Sequence, residues 1–181
     1  VQAPGGAVGI SAGGDILIQG PVTAGTVATL HAGGFVSMSA DVPVRSPFLD
    51  IAAVDGIDLD TEVETLAAAV TGQGLLQIHE ADEIVLQEVT NAAGAIRITA
   101  GGQIRALQVA VSSDAPGYNI SLLALSGNVL IDYIGVGTVH GQITVGAAAG
   151  DILEIDPDDP DVDVAGSLGI FFAAGEIGSK T

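Results

Sequence analysis

The stretch Ala95–Ala106, AIRITAGGQIRA, carries the pattern that decides the fold. Ile96 and Ile98 alternate with Arg97 and Thr99, a short Ala/Gly corner follows, and Ile104 and Ala106 flank Arg105. Alternation with period two marks a strand with one buried face. Two such strands, three or four residues apart, describe a chain that turns a corner and keeps its apolar side inward.

The same grammar recurs along the chain. It reads VGISAGGDILI (Val8–Ile18), ATLHAGGFVSM (Ala28–Met38), LDIAAVDGIDL (Leu49–Leu59) and LQIHEADEIVL (Leu76–Leu86). It continues as ISLLALSGNVLI (Ile120–Ile131), ITVGAAAGDILEI (Ile143–Ile155) and LGIFFAAGEIG (Leu168–Gly178). Onsets at 8, 28, 49, 76, 96, 120, 143 and 168 are 20–27 residues apart. A third, shorter apolar station follows in most repeats, at Val22, Val42, Val63, Val89, Val109, Ile134 and Val162. Three short strands per repeat, stacked on their equivalents one repeat away, make a parallel β-helix. The expected fold is therefore all-β: a β-solenoid of about eight rungs of 20–27 residues, right-handed, running through 1–181 as one continuous segment.

Finer expectations follow. Ile96, Ile98, Ile104, Ile120, Leu122, Val129, Ile131 and Ile143 belong in the core. Gly14, Gly34, Gly102, Gly127, Gly150 and Gly175 each precede an inward residue by two, where a sharp corner calls for positive φ. Asp55 and Asp82 stand there in two repeats and are expected to tolerate the same conformation. The long interval from 49 to 76 leaves room for a fourth strand, TEVETLAAAV (Thr61–Val70). IAAVDGIDLDTE (Ile51–Glu62) is similar to IFFAAGEIGSKT (Ile170–Thr181), which suggests a super-repeat of about 120 residues, approximately 50–170.

Composition narrows the function classes. The 181 residues include 22 Asp+Glu against 4 Lys+Arg, a formal charge of −18. Such a surface repels nucleic acid and anionic lipid. Hydrophobic residues at 48% exclude a solvated acidic tail, and aromatic residues at 3% suit a narrow aliphatic core. There is no Cys, hence no disulfide or thiolate metal site. No apolar run is long enough to span a bilayer as a helix. The chain opens and closes in mid-pattern, as a portion of something longer would.

These I-x-I-x-A-G-G-x-I-x-[IL] rungs resemble the repeats of filamentous-haemagglutinin-type exoproteins and other giant bacterial β-solenoid surface proteins. AGEIGS, TEVETLAAAV, GLLQIHEADEIVL and AGAIRITAGGQI carry the likeness. The resemblance implies secretion, an extracellular or cell-surface location, a fibrous shape, and a part in adhesion, matrix or cell covering. It implies as partners adjacent repeats or copies of the chain, end to end, and a cell-surface glycan. The chain lacks the N-terminal secretion domain that opens a two-partner-secreted adhesin.

Few constellations carry chemistry. The run Glu154–Asp163, EIDPDDPDVD, spaces Asp159, Asp161 and Asp163 as D-x-D-x-D. Val164 and Ile170 stand where a calcium loop wants Gly and Glu. The first reading is a solvated loop whose prolines block strand pairing; weak Ca²⁺ binding by the three aspartates is the competing one. Asp58, Asp60, Glu62 and Glu64 share one face if extended, a solubilising row or a place for divalent cations to bridge rods. Solenoid enzymes of the pectate-lyase or polygalacturonase kind need carboxylates or calcium beside basic residues. Arg97 and Arg105 are the one close basic pair, with no carboxylate cluster on their rung, so no enzymatic activity and no cofactor is expected. A carbohydrate-binding or polysaccharide-cleaving β-helix is the alternative function. His31, His79 and His140 are scattered and read as surface residues.

Overall fold

A computed structural model describes residues 1–39, 42–156 and 163–178. These form a β-solenoid of about seven turns, without helix, in which each strand pairs in parallel with its equivalent one turn away. At roughly 4.8 Å per turn the stack is about 34 Å long.

Three walls make each turn. The first holds the column Ile10, Leu30, Ile51, Ala68, Val89, Val109, Ile134 and Val164. The second holds Ile16, Val36, Ile57, Leu76, Ile96, Ile120, Ile143 and Gly169. The third holds the lateral ladder Ile84, Ile104, Val129 and Ile152, with Ile177 bridged above it. Inward residues of all three walls meet in one aliphatic interior, where Leu, Ile, Val and Ala are nearly all buried. All eight expected core residues are inside, and Arg97 points out.

The number of turns and the alignment of the repeats differ from the sequence reading of about eight rungs. Val8, Ala28 and Leu49 do stack on the first wall. Leu76 stands above Ile57 on the second wall instead. Strand-corner-strand therefore occurs at two different corners of the rod, and aligning them as one hides a shift of one wall between 49 and 76. Thr61–Val70 is indeed extended, but no wide turn surrounds it. It belongs to the 18-residue strand Gly56–Gln73, which runs along the second wall, bends into the third and continues onto the first. Two third-station residues shift by two as well: Val44 stacks on Val22, and Val164 on Ile134. Parity is kept in both cases, so the inward face is unchanged. Ile57 and Ile177, 120 residues apart, stand in different columns.

The corners correct another expectation. Gly127 has positive φ (80°), whereas Gly14, Gly34, Gly102, Gly150 and Gly175 do not, and no described Asp does. Close stacking is the commoner demand. A Cβ on Gly33 would run into the Gly13 carbonyl of the turn below, and one on Gly101 into the Ala81 carbonyl.

Candidate functional site

The solenoid sorts its polar groups by corner and wall. Of the three candidate calcium ligands, Asp159 and Asp161 lie outside the described residues. Asp163 is half-buried, and its carbonyl accepts the Ile134 N–H at 2.6 Å. Among the described residues no three acidic or histidine side chains are placed to hold a metal. The row Asp58, Asp60, Glu62 and Glu64 does lie along the outside of one strand. Cross-turn partners answer three of these carboxylates. Gln77 donates to Asp58 at 3.1 Å, His79 stands 3.4 Å from Asp60, and Arg45 donates to Glu62 at 2.6 Å.

Each histidine lies beside an aspartate of another turn. His31 is 3.4 Å from Asp50, and His140 is 3.6 Å from Asp114. The Asp114 carboxylate also accepts the backbone N–H groups of His140 and Val139 at 2.8 and 2.9 Å. Those bonds hold its carboxyl below the usual carboxylate range, with the His140 charge helping. They also tie the loop after Val111 to the loop after Gly135, one turn above.

A corner device was not legible in the sequence. The residue between the corner glycine and the inward strand is Asp15, Asn128 or Asp151 in three turns. Each side chain accepts a backbone N–H from the turn above: Phe35 at 2.8 Å, Asp151 at 2.9 Å and Glu176 at 2.8 Å. Asn119, in an N-glycosylation sequon, does the same for Gln142 at 3.1 Å. These caps replace the backbone bonds that a corner interrupts.

One carboxyl sits inside. Glu80 is 5% exposed and occupies an inward station above Thr61 and below Ala100. It accepts the Thr61 hydroxyl at 2.8 Å, the Val63 N–H at 3.1 Å and the Ala81 N–H at 2.9 Å. Burial outweighs these bonds and raises its pKa from 4.5 to about 7.

Two surface hollows combine chemistry from several turns. One, of about 360 Å³, is lined by Glu64, Glu83, Gln103 and Arg105 over a floor of Ile84 and Val85. No carboxylate cluster stands on the rung of Arg105, but stacking brings Glu83 and Glu64 from the turns below into its groove. The other, of about 450 Å³, lies at the corner between the first and second walls. Gly74 and Gly94 form its floor, and Arg97, Pro116 and Tyr118 stand around it. Neither arginine has an acidic partner within ion-pair distance among the described residues.

No protein-family model matches the chain, and no curated protein or solved structure does so.

Proposed function

We propose that the chain is a rigid structural and interaction segment of a large extracellular surface or fibre-forming protein, serving adhesion, matrix or cell covering. The observation that carries this reading is the uninterrupted apolar column through about seven turns, with laterally bonded walls around it. A stack in which every turn is supported by two neighbours resists bending and extends by repetition. The resemblance of its rungs to filamentous-haemagglutinin-type repeats supports the same role and an extracellular location.

The terminal turns support end-to-end contact with adjacent repeats or further copies. The outer side of the last strand, Leu168–Ala173, exposes Leu168, Ile170 and Phe172, where the turn below presents Gln142, Thr144 and Gly146. Exposed apolar side chains beside an open strand edge favour addition of another strand. Electron micrographs and light scattering test this. Filaments, or rods lengthened by flanking repeats, are expected. A strictly monomeric, non-fibrous particle from a gene encoding no further residues would refute it.

The hollow that gathers Glu64, Glu83 and Arg105 favours a second reading, a carbohydrate-binding or polysaccharide-cleaving β-helix. A reducing-sugar assay on pectin and alginate separates the two, because turnover would overturn the purely structural role.

A further inference from the structure

The strand Gly56–Gln73 bends away from the second wall at a place where its lateral pairing is interrupted. Its register with the turn below runs from Phe35 and Gly56 to Ser37 and Asp58, and resumes beyond the bend with Val44 and Thr61. Leu59 and Asp60 fall in the gap. There the Asp60 N–H donates to the thioether sulfur of Met38 in the turn below, at 2.9 Å. On the other side, the Asp60 carboxylate stands 3.4 Å from His79 of the turn above. Sulfur is a weak acceptor beside a carbonyl oxygen, so the bend is tied downward by a soft bond.

Three features make this sulfur a place for chemistry. Met38 is the one methionine of a chain that has neither Cys nor Trp, so it is the side chain a peroxide oxidises most readily. It ends the strand Phe35–Met38 half-buried, paired with Ile18 below and packed against the core, so solvent still reaches the residue. It also departs from the stack. The equivalent inward residue is Leu59, Ile78, Ile98 and Leu122 in the turns above, all hydrocarbon and all buried. A thioether has two lone pairs; one faces the Asp60 N–H, and the other is free to react.

We propose that Met38 is an oxidation site, and that its sulfoxide releases the bend of the strand Gly56–Gln73 from the turn below. Hydrogen peroxide is the co-reactant. The free lone pair of the Met38 sulfur attacks one peroxide oxygen. The S–O bond forms as the O–O bond breaks, and the proton on the transferred oxygen passes to the departing hydroxide, which leaves as water. Sulfur is oxidised by two electrons and the peroxide is reduced by two. The sulfoxide sulfur carries partial positive charge and no longer accepts the Asp60 N–H. Its oxygen also brings a polar group to an aliphatic station. The inference goes beyond the structural role and stands without it.

Treatment of the full chain with hydrogen peroxide, read by mass spectrometry, amide hydrogen exchange and melting, tests it. One added oxygen at Met38 is expected. Exchange at the Asp60 amide should become roughly tenfold faster, as loss of one hydrogen bond implies. The melting temperature should fall by about 2–4 °C. Methionine sulfoxide reductase should reverse both changes. Met38→Leu keeps the volume of the side chain but removes the sulfur. It is expected to exchange at Asp60 as fast as the oxidised wild type and to show no further change with peroxide. A Met38 that stays unoxidised where free methionine is converted overturns the site. Full oxidation without faster exchange at Asp60, or an equal response of Met38→Leu to peroxide, overturns the release. None of these results bears on filament formation.

Discussion

Glu80 accepts the Thr61 hydroxyl at 2.8 Å inside the rod, one turn directly above it. A carboxyl in an aliphatic column makes folding depend on pH. Its pKa is about 7 in the fold against 4.5 when free, so the folded state binds the extra proton between those values. The stability from this proton is fully present below pH 4.5 and is lost as pH rises through 7. The change is of order 3 kcal/mol, from about 1.4 kcal/mol per pKa unit. Denaturant unfolding of wild type and Glu80→Gln across that window checks it. The difference between the two should fall with rising pH; parallel curves would place the titration elsewhere.

Ile98 stands in the second wall, 1% exposed, between Ile78 and Leu122. Ile98→Ala leaves a hole that neighbouring turns cannot close, at a cost of about 2–5 kcal/mol. Ile98→Asp adds an unpaired buried charge and is expected to prevent folding of the central turns. Arg97→Ala, one residue away and exposed, should change the melting temperature little. Circular dichroism melts of the three variants order them, and a costly Arg97→Ala beside a mild Ile98→Ala would invert the register.

Period-two alternation made the walls legible, because it states which side chains face in without saying which wall they occupy. Leu49 and Leu76 begin similar motifs and lie on different walls, since the strand Gly56–Gln73 bends without a glycine corner to announce it. Glu80 was hidden for a related reason. LQIHEADEIVL reads as a polar corner, yet Glu80 still has the inward parity of Leu76 and Ile78. The groove shared by Glu64, Glu83 and Arg105, like the hollow at Arg97, joins residues about 20 apart in sequence. Such sites exist only once the turn length and its wall assignment are known.

Calcium distinguishes the two readings of the acidic run. Asp163 is engaged through its backbone carbonyl, which accepts the Ile134 N–H, and the other two aspartates stand in a proline-containing stretch that lacks the Gly and Glu of a calcium loop. Millimolar Ca²⁺ is expected to change the melting temperature only slightly. Replacement of Asp159, Asp161 and Asp163 by Asn should remove even that response. A saturable calorimetric isotherm that the triple substitution abolishes would instead establish a site.

Gly14 and Gly101 occupy the second and first glycines of similar AGG corners, yet they answer to different constraints. Neither has positive φ. A Cβ on Gly14 meets nothing within 4 Å among the described residues. Gly101 lies over the previous turn, where a Cβ would strike the Ala81 carbonyl, a backbone atom that cannot rotate away. Gly14→Ala therefore restricts the unfolded chain without straining the fold, and should stabilise by about 0.4–1 kcal/mol. Gly101→Ala forces two turns apart and should destabilise by about 1–3 kcal/mol, as overpacking does. Paired melts decide between stacking and backbone conformation as the reason for corner glycine. If conformational freedom were the reason, both substitutions would destabilise alike.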